Sequence, residues 1–183
     1  MKRKKLSIVI PTFNRPLILN ANLKNIIKIC KKFSIQIFIS DDSTDQKTKE
    51  NIQELNIQDK HIKYFKNEPS LGHDNNFFKS LQLSDTNYVW LVGDSTKIMP
   101  KAIEKILRII ENNDIDIIGL NCENRNINVA SQFYNDPNEI LKTFGWHLNL
   151  IGSMVFSRHV IKNIGELDFL KCKNFPHFYL AFY

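Results

Sequence analysis

Four short polar clusters hold residues that could do chemistry together, and each directly follows an apolar run. Thr12-Phe13-Asn14-Arg15 follows Leu6 to Pro11, and Asp41-Asp42-Ser43 follows Ile35 to Ser40. Lys66-Asn67 follows Ile62 to Phe65, and Gly93-Asp94-Ser95 follows Tyr88 to Val92. These residue types suit a phosphorylated, hydroxyl-rich ligand. A carboxylate such as Asp42 matches the donor edge of a nucleotide base, and Asp94 suits the two hydroxyls of a ribose. A diphosphate needs positive charge, from Arg15, nearby lysines or a divalent metal. Backbone groups around Pro11 and Phe13 stand where they would border the base. Each piece also has a plainer role. Asn14 can cap a helix, Asp41 and Asp42 can form a turn, Asp94 can cap the following helix, and Arg15 can be a solvated charge. The recurrence of such clusters after four successive runs is what favours one site.

The elements that must position these residues are legible in the spacing. Leu6 to Pro11 is a β-branched apolar run and reads as a buried strand. Asn14-Arg15-Pro16 opens a helix, with asparagine as the cap and proline in the first turn. Leu17, Ile18, Ala21, Ile26, Ile27, Cys30 and Phe33 roughly follow its apolar stripe. Ile35 to Ser40 predicts a second strand and Gln46 to about Leu55 a polar helix. Ile62 to Phe65 predicts a third strand and His73 to Leu83 a helix. Tyr88 to Val92 predicts a fourth strand. Pro100 opens a helix with Ile103, Ile106, Leu107 and Ile110 on one face. Ile115 to Gly119 and Met154 to Phe156 predict two more strands, the latter leading into a helix to about Ile164. The stretch from Asn121 to Leu141 is polar and irregular. Strands alternating with helices imply an α/β fold, a mostly parallel sheet flanked by helices in three layers. In such sheets ligands bind outside the carboxyl ends of the strands, where strand order reverses.

Composition sets outer bounds. The chain has 183 residues, 43% apolar and 24% charged, which fits a single globular domain. No run approaches the roughly 18 apolar residues of a membrane span. The basic start, Met1 to Lys5, leads into only Leu6 to Pro11 before Thr12, so no secretion signal is expected. Cys30, Cys122 and Cys172 are odd in number and far apart, and read as thiols in a reducing cytoplasm. The net charge of +6 favours phosphate-bearing partners. Lys2 to Lys5 can touch an anionic membrane surface, at roughly 1 kcal/mol per residue. No aromatic-basic pattern points to nucleic acid.

Taken in order, Ser7 to Arg15, Ile39 to Asp45, Asn67 to Gly72 with Asn76, and Tyr88 to Asp94 with Met99-Pro100 resemble family 2 of the inverting glycosyltransferases. The resemblance spans about residues 5 to 120 and leans towards abequosyltransferase-like enzymes of bacterial surface polysaccharides. It implies a GT-A, Rossmann-like fold, a nucleotide-diphosphate-sugar donor and a divalent metal, manganese or magnesium. By position it sets Thr12 and Asp42 at the base and Asp94 at the ribose. Pro11, Phe13, Asn14, Arg15, Asp41, Ser43, Asn67, Gly72, Asn76 and Gly93 complete the expected donor pocket. The family's metal-binding aspartate falls five residues before the proline, where this chain has Ser95. The expected metal ligands are therefore Asp94 and, weakly, Ser95. Gly165 to Asp168 resembles the stretch that precedes the family's catalytic base. The base position then falls near Asn174 to His177, where His177 is the titratable group, with a reference pKa of about 6.5. Glu166 and Asp168 are the fallback acids.

The expected organisation is one domain over 1–183, with 1–120 the donor-binding half and 121–183 a partial acceptor-side half cut short at the carboxyl end. The expected reaction transfers a sugar to a saccharide or lipid-linked acceptor, in the cytoplasm or at the inner face of the plasma membrane. Ser95 and the short carboxyl end also allow a module that binds a donor or partner without turnover. A sugar nucleotidyltransferase would want a glycine-rich phosphate loop after the first strand, and Pro11-Thr-Phe-Asn-Arg15 lacks the glycines.

Overall fold

The computed structural model describes residues 6–54, 61–122, 125, 128, 130–168, 171 and 173–183. The Lys2–Lys5 cluster and Cys172 lie outside the described residues. Five of the six strands run the same way. In chain order the elements are β1 (Leu6–Thr12), α1 (Pro16–Phe33), β2 (Gln36–Asp41), α2 (Lys47–Glu54), β3 (Ile62–Lys66) and α3 (His73–Gln82). They continue with β4 (Tyr88–Leu91), α4 (Pro100–Asn112), β5 (Ile117–Gly119), α5 (Pro137–Leu148) and β6 (Met154–Ser157). The chain then forms α6 (Arg158–Lys162), a 3-10 turn over Asn163–Glu166 and α7 (Pro176–Phe182).

The sheet order is β3-β2-β1-β4-β6-β5. β1, β2, β3 and β4 pair in parallel, whereas β6 is antiparallel to both β4 and β5. Strand order reverses between β1 and β4: the chain steps outward through β2 and β3, then returns to the other side of β1. Thr12, Asp41 and Lys66 occupy one register row at the carboxyl ends of β1, β2 and β3. The polar clusters therefore meet at one rim because the strands are parallel and in register.

Alternation along each strand splits the core in two. Ile8, Ile10, Trp90 and Val92 pack with α1 and α4, while Val9, Val89 and Leu91 pack with α3, α6 and α7 on the other face. Leu19, Leu23 and Ile26 are the buried stripe of α1, and Ile103, Ile106 and Ile110 that of α4. Cys30 is buried on α1, and burial pushes its thiol up to about 12. That fits an inert core cysteine. No helix among the described residues is long and apolar enough to cross a membrane.

Three sequence expectations change, the first being that Leu17 and Ile18, read into the apolar stripe of α1, are exposed. The irregular reading of 121–141 ends too late, because Pro137 opens α5 and Asp136 caps it by accepting from Asn138 N. Asn14 is not the cap of α1. Its φ is +52°, a left-handed backbone, and Arg15 stands at the N-cap with no side-chain cap bond.

Candidate functional site

At the point where strand order reverses, the end of β4 faces the end of β1. Asp94, 5% exposed, is the central group. Thr12 Oγ1 donates to its Oδ2 at 3.1 Å, and Arg15 Nη1 to its Oδ1 at 2.7 Å. From α1, Asn22 Nδ2 donates to Asp94 O at 3.0 Å and to Thr96 O at 2.9 Å. One amide thus ties the helix to the loop that presents the carboxylate. Burial raises the Asp94 pKa above the usual carboxylate range, and Arg15 and Thr12 act in the opposite sense.

Asp41 and its neighbours set the next loop. Its carboxylate accepts from Ser43 N at 3.0 Å and Ser43 Oγ, and from Tyr64 OH at 2.6 Å. Burial, then the bond to Asp41, pushes the Tyr64 hydroxyl well above its ordinary value. Lys66 Nζ lies 3.6 Å from Asp41 and donates to Ser43 O and Asp45 O. Asn14 bridges this loop to β1. Its N–H donates to Ser43 Oγ at 2.8 Å, and its Oδ1 accepts from Thr44 N at 3.1 Å. That pairing explains the left-handed backbone, since asparagine tolerates it better than most residues.

Asp42 is 1% exposed, and its carboxylate is filled by the loop after β3. It accepts from Asn67 Nδ2 at 3.0 Å, Ser70 Oγ at 2.7 Å, Leu71 N at 2.7 Å and Gly72 N at 2.9 Å. Asn67 Nδ2 also donates to Asn76 Oδ1 at 3.0 Å, and Asn76 Nδ2 to Thr12 O at 3.3 Å. Asp42, Asn67, Asn76, Thr12 and Asp94 therefore form one continuous chain of contacts. The carboxylate that the sequence offers to a base is committed to the protein's own loop. A base would reach that carboxylate by exchanging one of four donors.

Pro11 is buried, Phe13 is half exposed beside Arg15, and Gly93 starts the β4 loop. A Cβ on Gly93 would lie 3.0 Å from Thr96 Oγ1. Ser95 is exposed. A divalent metal needs several hard oxygen ligands, usually including carboxylates. Asp94 is the carboxylate present at the end of β4, and its two oxygens already serve Thr12 and Arg15. Among the described residues no three His, Cys, Asp or Glu side chains gather as a metal site. At this loop a divalent ion would find Asp94 as its carboxylate and, at Ser95, a neutral hydroxyl.

The three base candidates are His177, Glu166 and Asp168. His177 is 3% exposed, its Nε2 is 2.9 Å from Asn149 O, and its ring stacks on Phe77 with centroids 5.8 Å apart. Burial lowers its pKa. Glu166 and Asp168 are exposed, and Asp168 lies 3.4 Å from Lys171. Asn174 N donates to Asp74 Oδ2 at 3.0 Å, which ties the start of the terminal segment to the first turn of α3, just after Gly72.

Asn22, Tyr64 and Ser70 belong to the site and were not singled out in the sequence. Asn22 carried a readable signal, a polar side chain on the Leu19–Leu23–Ile26 face of an amphipathic helix. Tyr64 and Ser70 carried none.

Known proteins resemble this chain in sequence and in fold. The model of glycosyl transferase family 2 matches residues 7–162. An uncharacterized glycosyltransferase of Methanocaldococcus jannaschii is 27% identical over 172 residues, 90% of this chain and 59% of that protein. The GalNAc(5)-diNAcBac-PP-undecaprenol beta-1,3-glucosyltransferase of Campylobacter jejuni is 29% identical over 119 residues, 64% of this chain and 38% of that protein. Among solved structures, S. aureus TarS 1-349 in complex with UDP-GlcNAc superposes with a TM-score of 0.69 at 19% identity, over 98% of this chain and 53% of that one. That likeness shows a shared GT-A fold. The chain spans less than two-thirds of the length of each of these relatives.

Proposed function

The chain belongs to glycosyl transferase family 2, and from that premise we propose that the β1–β4 rim holds the nucleotide of a sugar donor for transfer to an acceptor hydroxyl. In this reading the acceptor is a saccharide or a lipid-linked saccharide of bacterial surface polysaccharide synthesis, and the anomeric carbon is inverted. The Campylobacter relative, named for an undecaprenol-linked substrate, supports the acceptor class. Such an acceptor would place the protein at the cytoplasmic face of a membrane, with Lys2 to Lys5 as the segment to meet anionic lipid.

The observation that carries the reading is the Thr12–Asp94–Arg15 contact at the reversal of strand order. Asp94 takes the ribose hydroxyls, and Arg15 faces the diphosphate. Thr12 and the Asp42-held loop over Ser70–Gly72 border the base. Attack from the face opposite the leaving diphosphate requires a base to remove the acceptor's proton. His177 is enclosed and hydrogen-bonded, so the role falls to Glu166 or Asp168, which are open to solvent. A second reading, a donor-binding module without turnover, is favoured by Ser95 at the metal position.

Two assays test the reading. Calorimetric titration with UDP, GDP, CDP and dTDP should show saturable binding of at least one; no binding at millimolar nucleotide would end it. Donor hydrolysis by the unmodified protein would end the second reading. Given turnover, Asp168→Asn or Glu166→Gln should lower kcat by about 100-fold or more.

A further inference from the structure

We propose that this protein holds a nucleoside diphosphate without a divalent metal, with the Arg15 guanidinium supplying the positive charge at the diphosphate. The inference rests on the donor-binding reading above. It starts from how the carboxylates near the rim are spent. Asp41 is held by Ser43, Tyr64 and Lys66, and Asp42 by four donors of the loop after β3. Asp94 remains, and its two oxygens accept from Thr12 and Arg15. A cation binding at Asp94 would have to share these oxygens with both donors and sit beside a guanidinium 2.7 Å from the same carboxylate. Like charges at that range repel strongly in a partly buried site. Ser95 adds a neutral hydroxyl where a second carboxylate would be needed to offset this.

Arg15 itself is placed for phosphate. Its side chain is 47% exposed while Asp94 anchors one Nη. A guanidinium has five donors in a planar fork, so its exposed edge can take two phosphate oxygens at once. The anchor also fixes the fork's orientation before a ligand arrives, which lowers the cost of ordering it. Arg15 stands at the N-cap of the 18-residue α1, whose first turn contains no acidic residue. The helix dipole there adds to the attraction for an anion.

The test is calorimetry on the full chain with UDP, GDP, CDP and dTDP, in EDTA and again in millimolar manganese. The nucleotide that binds should show Kd values within about threefold of each other in the two buffers. Arg15→Gln should weaken binding about tenfold or more in both buffers, and Arg15→Lys should recover part of that loss. Tightening by more than about tenfold on adding manganese would overturn the inference and leave the donor-binding reading intact. Undiminished binding by Arg15→Gln would overturn it as well. Failure of every nucleotide in both buffers would remove the donor-binding reading and this inference together.

Discussion

At the scale of the residue, buried carboxylates do most of the organising, and they divide the work. Asp42 serves the fold: four donors converge on it, two of them backbone N–H groups of the loop that completes the rim. Removing it would take away the shared acceptor of Asn67, Ser70 and the Leu71 and Gly72 N–H groups and release the loop. Asp42→Ala should therefore cost about 3 kcal/mol, and urea unfolding would show it. An unchanged midpoint would mean that the loop does not depend on this side chain. His177 gives a pH signature. Its folded pKa is lowered, chiefly by burial, so the unfolded chain binds its proton more tightly. The stability it confers is present above the unfolded value of about 6.5 and is lost as pH falls towards the folded value. The thermal midpoint should drop between pH 7.5 and 5.5, and the drop should be shallower in His177→Gln. Equal slopes would contradict the buried, neutral assignment.

At the scale of the element, sequence patterning reveals different things to different depths. The strands β1 to β4 were legible because apolar, β-branched runs end sharply in polar clusters, and their shared rim followed from parallel pairing. The direction of β6 was not legible, since a short apolar run reads the same whichever way it points. α5 was half hidden because its first turn, Pro137 to Ile140, continues the polar composition before it. Asn14 misled because one residue type serves both as a helix cap and in a left-handed loop, and only the partner, Thr44 N, decides between them. Asp94 and Thr12 could be placed on a common edge from sequence. Asp42's commitment to a loop some 30 positions away could not. The same loop supplies a prediction at this scale. Gly72 has a φ of +81° at the N-cap of α3, with open space where a Cβ would go. Gly72→Ala should thus cost about 2 kcal/mol, from backbone strain rather than a clash. A neutral effect in thermal unfolding would mean that the loop relaxes. Leu23, fully buried on α1, should cost about 3 kcal/mol as Leu23→Ala. By tilting the helix that carries Asn22, it should also weaken nucleotide binding.

At the scale of the whole molecule, the polar rim and an apolar cavity compete as the place for a ligand. One is the rim between β1 and β4, polar and built from four loops. The other is an apolar cavity of about 430 Å³ beside β5, lined by residues including Ile117, Leu120, Ile140 and Phe144. Family membership and strand topology favour the rim, because a diphosphate needs converging donors and charge, whereas the cavity sets Lys105 and a few polar side chains in a mostly apolar wall. A crystal structure with a bound nucleoside diphosphate decides between them. The account predicts ribose hydroxyls within hydrogen-bonding distance of Asp94 and diphosphate oxygens on the guanidinium of Arg15. A nucleotide lodged beside β5, or one at the rim that leaves Asp94 and Arg15 untouched, would contradict it.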